Sequence, residues 1–103
     1  MPVARATFLE EATAEARAAR RWYAERSPAA ADAFMEELDH AVARIEEFPE
    51  GWPSHVAGTR RYILRRFPFS VVYQKRGAEI EVVAVAHHGR RPGYWKGRIT
   101  PAP

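Results

Sequence analysis

The stretch AVAHHGRRPGYWKGR, residues 84–98, gathers side chains able to do chemistry. His87 and His88 titrate near neutrality and could give or take a proton. Arg90, Arg91, Lys96 and Arg98 could hold a phosphate or a carboxylate. Tyr94 could donate a proton or stack on a base. No acid interrupts the stretch, and a second basic set, Arg60, Arg61, Arg65 and Arg66, lies upstream in RRYILRR. RNA cleavage through the 2′-hydroxyl needs a base, a cation to hold the developing charge and an acid for the leaving oxygen. Arg61, Arg65, His87, His88 and Tyr94 are the candidates for those roles. The plainer reading makes the arginines a docking surface and His87 a strand-end cap, with Tyr94 and Trp95 closing over the sheet.

Metal chemistry finds no support in the sequence. His40, His55, His87 and His88 are scattered without ligand spacing, and there is no cysteine. Neither a metal nor another cofactor is expected. No apolar run approaches the roughly 20 residues of a membrane span. MPVARATFLEE lacks the apolar region of a signal peptide. The expectation is a cytoplasmic protein without membrane association. At 103 residues, one domain over 1–103 is expected.

Charge is unevenly placed. Residues 1–50 carry a net of −5 and residues 51–103 a net of +8, and of the 16 basic residues 14 are arginine. A half so basic exceeds what solubility needs and suggests a surface for nucleic acid or an acidic protein. Arginine favours a bidentate grip on either.

The elements that must carry these groups follow from periodicity. Val3 to Phe8 suits a short strand. Ala12, Ala16, Ala19 and Tyr23 mark one face of a helix ending near Arg26. Ser27-Pro28 then starts a second helix, with serine as N-cap and proline in the first turn. Phe34, Leu38, Ala41, Ile45 and Phe48 form its apolar face, and FPEGWP stops it. From residue 58 the period falls to two. RRYILRR, FSVVYQK and EIEVVAVAH read as strands, the last two joined by a tight turn at Arg76-Gly77-Ala78.

Alternation puts Arg61 with Arg65 on one face of the first of these strands, and Arg60 and Arg66 likewise on one face. In the last strand it sends Ile80, Val82, Ala84 and Ala86 one way, and Val83 and Val85 the other. Both faces are apolar, so this strand is central. His87 goes with Val85 and His88 with Ala86, on opposite sides, which argues against a paired role. The ITPAP tail is expected to fray. The order is β-α-α-β-β-β: an α+β fold with an N-terminal helix hairpin on one face of a small, mostly antiparallel sheet.

In this order the sequence resembles the RelE/ParE superfamily of type II toxin–antitoxin toxins, closest to the branch called plasmid stabilization proteins. The resemblance rests on four stretches. They are the short first strand, the hairpin WYAERSPAAADAFMEELDHAVARIEEFPEGWP, the strand pair RRYILRRFPFSVVYQ and the ending IEVVAVAHHGRRPGYW. It implies the same fold and a cognate antitoxin partner, acidic where it meets the toxin. It also implies growth inhibition of a bacterial host, and either a homodimer or a toxin–antitoxin hetero-oligomer. RelE-like members cut messenger RNA on the ribosome; ParE-like members act on DNA gyrase; some have no shown target, and an inactive antitoxin-binding or regulatory member is a third alternative for this chain. Ribosome-dependent members combine several lysines with arginines and a tyrosine, or end in a His-Tyr pair. Here only Lys75 and Lys96 occur, and fifteen residues follow His88. The ParE-like reading is therefore preferred, without enzymatic activity. Arg60, Arg61, Arg65, Arg66, Arg90, Arg91, Lys96 and Arg98 are expected to form one outward basic surface for antitoxin and target.

Overall fold

The structure is a computed structural model describing residues 4–99. Strand β1 (Arg5–Phe8) leads into helices α1 (Glu10–Arg26) and α2 (Pro28–Glu47), followed by strands β2 (Arg60–Ile63), β3 (Phe69–Arg76) and β4 (Glu79–His87). The expected start of β1 at Val3 and most of the expected tail lie outside the described residues. Ile99, the first residue of that tail, packs against the sheet.

Ser27 serves both helices. Its N–H donates to the Tyr23 carbonyl and closes α1, while its Oγ accepts from the Ala30 N–H at 3.2 Å and opens α2. With Pro28 next, the chain reverses in one residue and the helices pair as a hairpin. Ala12, Ala16 and Ala19 are buried on α1, and Ala31, Phe34, Leu38, Ala41 and Ile45 on α2. Phe48 departs from the expected apolar face: it lies beyond the helix with φ −134° and is 53% exposed. Pro49 disfavours a helical conformation at the residue before it, which ends the stripe at Ile45. Trp52 closes the end of α2 instead, donating Nε1–H to the Arg44 carbonyl and lying 4.6 Å from the Tyr62 ring.

The sheet order is β1-β4-β3-β2, with β1 parallel to β4 and the other pairs antiparallel. The helices cover one face through Val71, Tyr73, Ile80, Val82 and Val85. Phe67 and Phe69, flanking Pro68, meet Phe34 at 5.4 and 5.3 Å and tie the β2–β3 connection to the hairpin. The other face carries a smaller cluster of Val72, Val83, Ala84 and Trp95.

Two expectations about the strands need correction. Ile80 and Val82 do not share a face with Ala84 and Ala86. The β3–β4 register shifts at Val72/Tyr73, where Val72 faces Ala84 and Tyr73 faces Val82, leaving Val83 as an extra residue. Val83 and Ala84 therefore both turn to the second face, and Val85 returns to the helix side. The second correction concerns β2, which stops at Ile63. The Glu37 carboxylate of α2 accepts the backbone N–H groups of Arg65 and Arg66, so these residues form a bend rather than a strand face. Among the described residues no helix is long and apolar enough to cross a membrane.

Candidate functional site

β1 pairs with β4 only as far as Val82. Beyond it, the outer edge of β4 would present bare peptide groups. Glu15, projecting from α1 between Ala12 and Ala19 on the buried stripe, supplies the missing acceptor: its Oε1 takes the Val85 N–H at 3.0 Å. Arg98 supplies a donor, with Nη1–H to the Val83 carbonyl at 3.1 Å. The two side chains also form a bidentate pair, Nη1 to Oε1 and Nη2 to Oε2, each at 3.0 Å. The Tyr94 hydroxyl donates to Glu15 Oε2 as well. These bonds hold residues 94–98 against the strand.

Burial, together with the Glu15 bond and charge, pushes the Tyr94 hydroxyl well above its ordinary pKa. A hydroxyl so held is a poor proton donor to any substrate. The Glu15 bond raises Arg98 in turn, against the opposing effect of burial.

The C-terminal segment crosses to the second sheet face. There Trp95 is only 2% exposed. It covers that face, as the apolar character of both sides of β4 requires.

The histidines separate as expected. His87 lies on the helix side, its ring 5.0 Å from Phe69, and its Nδ1 accepts the Gly89 N–H at 2.8 Å, which makes it a strand-end cap. An open apolar hollow of about 420 Å³ lies beside it, between Trp22 and Tyr23 of α1 and the end of β4. His88 faces the second side, where its Nε2 is 2.9 Å from the Ser70 Oγ. It shares a cleft of about 180 Å³ with His55, Arg61 and Arg91, over a floor that includes Trp95. Burial lowers the His55 pKa, and the nearby charges of Arg61 and Lys96 lower it further.

The eight basic residues do not form one surface. Arg98 turns inward to Glu15, because a free β4 edge and a half-buried carboxylate both need it. Arg60 donates to the Trp52 carbonyl at 2.7 Å. Arg65 and Arg66 border a groove between α2 and β2 together with Glu36 and Glu37, and Arg66 is 3.4 Å from Glu37. Arg90 lies over the Tyr94 ring, 3.9 Å from its centroid. Arg61, Arg90 and Arg91 line the second-face cleft, with Lys96 beside it. Four of the five candidates for RNA cleavage, Arg61, His87, His88 and Tyr94, line the second-face cleft, although the His87 ring also caps the strand end and the Tyr94 hydroxyl is bound to Glu15; Arg65 borders the α2 groove, as Arg61 also does. No group of three or more histidine, cysteine or acidic side chains suited to a metal occurs among the described residues.

Sequence reasoning assigned no role to Glu15, Glu37, His55 or Ser70. Only Glu15 left a signal, as a lone carboxylate on an otherwise alanine-lined helix stripe.

Comparison with known proteins agrees with the architecture. No curated protein matches the chain. A solved structure of a chromosomal ParDE toxin–antitoxin system from P. aeruginosa superposes with a TM-score of 0.72 at 23% identity, covering 84% of this chain and 96% of that one. At that identity the likeness speaks for the fold. The family model for the ParE toxin of the type II toxin–antitoxin system parDE matches residues 7–92, from β1 to Pro92 beyond the histidines. As that match spans the helix hairpin and strands β2 to β4 and reaches Pro92, the chain belongs to the ParE toxin family.

Proposed function

We propose that this ParE-family toxin is neutralised by a cognate antitoxin bound through its basic half, and that when free it acts in the cytoplasm on a protein target of the DNA gyrase kind. The observation carrying this reading is a set of exposed cations beside candidate acid–base groups that are already engaged in bonds within the fold. Arg65, Arg66, Arg91 and Lys96 project from the surface, whereas Tyr94 and Arg98 are committed to internal bonds. Such a surface suits an acidic protein partner, since complementary charge speeds encounter and fixes register. Residues 1–103 would act as one toxin domain, as a homodimer or within a toxin–antitoxin hetero-oligomer.

Expression of the chain alone is expected to arrest bacterial growth, and co-expression of the neighbouring gene to relieve the arrest. Arrest should come with a DNA-damage response while bulk translation continues at first. Normal growth at confirmed soluble expression, or translation that stops within minutes, would overturn the reading.

A further inference from the structure

The second-face cleft holds an arrangement that a protein-binding surface does not require. Arg61 from β2, Arg90 and Arg91 from the C-terminal segment, His55 from the α2–β2 connection and His87 and His88 from the end of β4 line it, and none of its described lining residues is a carboxylate. Lys96, near enough to act on the His55 charge, adds a cation beside it. Gly93, at φ +75°, has no side chain, and the Lys96 side chain occupies that space: a Cβ there would lie 2.7 Å from its Cε. The Ser70 hydroxyl, bonded to His88, provides another polar group.

The same molecule shows what one carboxylate takes. At Glu15 a single arginine fork, one hydroxyl and one backbone N–H satisfy both oxygens. The cleft offers more charge than that, from several directions and without an internal anion. A phosphoryl group has three or four oxygens in a tetrahedral array and can accept from all sides, whereas a planar carboxylate cannot. The volume of about 180 Å³ has room for such a group.

We propose that this cleft is a phosphoryl-anion site, in which Arg61, Arg91 and Lys96 supply charge and His55, His88 and Ser70 supply hydrogen bonds. The inference is independent of the toxin reading, because it concerns binding by the purified chain. Its ligand is either a terminal phosphate or a phosphodiester of a nucleic acid backbone. An incoming anion would offset the neighbouring positive charges that lower the His55 pKa, so occupancy should raise it.

The test is an NMR titration of the full chain, following the imidazole signals of His55 and His88 with exposed His40 of α2 as internal reference. The probes are a nucleoside monophosphate, a short single-stranded DNA oligonucleotide made without terminal phosphates, and a glutamate-rich peptide. Saturable shifts of His55 and His88, an unmoved His40 and a raised His55 midpoint are expected with at least one phosphate probe. Response to the monophosphate alone identifies a terminal-phosphate site, and response to the oligonucleotide identifies a backbone site. Arg61→Gln and Arg91→Gln should each weaken binding about tenfold, while Arg17→Gln on exposed α1 surface should not. Arg91 is exposed and the Arg61 backbone bond to Pro53 is unaffected, so both variants should fold. The proposal fails if neither phosphate probe moves these imidazoles. It fails equally if the peptide alone saturates them, or if Arg17→Gln weakens binding as much as Arg61→Gln does.

Discussion

The Glu15 carboxylate and the Arg98 guanidinium, 83 positions apart in sequence, meet in a bidentate pair that also caps the edge of β4. The pair is mostly shielded, with side chains 16% and 18% exposed. Arg98→Ala leaves Glu15 without its counter-charge and Val83 without a donor. It should lower stability by about 1–3 kcal/mol, read as a reduced denaturant midpoint. Because the pair is shielded, the loss should persist in high salt, unlike that of a surface ion pair. A loss that vanishes in salt would place the pair in solvent.

Trp95 is the largest side chain in the second-face cluster. Trp95→Ala should cost about 3–5 kcal/mol, enough to unfold most of so small a domain. Trp95→Phe should keep it folded with a lower melting temperature. Lost toxicity in Trp95→Ala would therefore report on folding. Circular dichroism of both variants provides the check.

Burial pushes Tyr73 up to about 12, against a smaller lowering by Arg60, and its hydroxyl donates to the Pro49 carbonyl at 2.7 Å. A pKa raised in the fold means that the folded state holds the proton more tightly. The associated stability is complete below the unfolded value near 10 and is lost as pH rises toward about 12. Tyr94 is raised in the same direction. Tyr73→Phe should lose about 1 kcal/mol at neutral pH and show a shallower alkaline decline. Unfolding followed from pH 8 to 12 distinguishes this from a parent whose stability is flat through that window.

Arg65 has an exposed side chain, and Arg61 is partly buried. Replacing both with alanine should leave the melting temperature nearly unchanged, because exposed charges contribute little to stability. It should weaken antitoxin binding and flatten its salt dependence. Glu37 grips the Arg65 and Arg66 backbone, so the bend should survive loss of the Arg65 side chain. Unchanged affinity across salt concentrations would remove these arginines from the interface.

The helix hairpin was legible because its pattern is local: Ala12–Ala16–Ala19, Ser27-Pro28 and Phe34–Leu38–Ala41–Ile45 each declare themselves within a few turns. The central position of β4 was legible from its apolar run on both faces. What stayed hidden depends on partners distant in sequence. Arg65 and Arg66 alternate as a strand would, but Glu37, 28 positions before Arg65, takes its N–H and bends the chain. Arg98 looks free until Glu15 is brought across to it. His55 sits in a loop without periodicity, and only folding sets it 5.7 Å from the Trp95 ring.

The extra residue at Val83 has a consequence for the two histidines. A strand read without interruption alternates strictly, so one additional position inverts the parity of everything beyond it. Were Val83 paired normally, His88 would stand over the helices and His87 over the cleft of Arg61 and Ser70. The identity of the imidazole in the basic cleft is thus chosen several residues upstream, by a miscount in the ladder between β3 and β4. An adjacent pair of histidines makes the ending tolerant of that count, since either parity still presents one ring to each side.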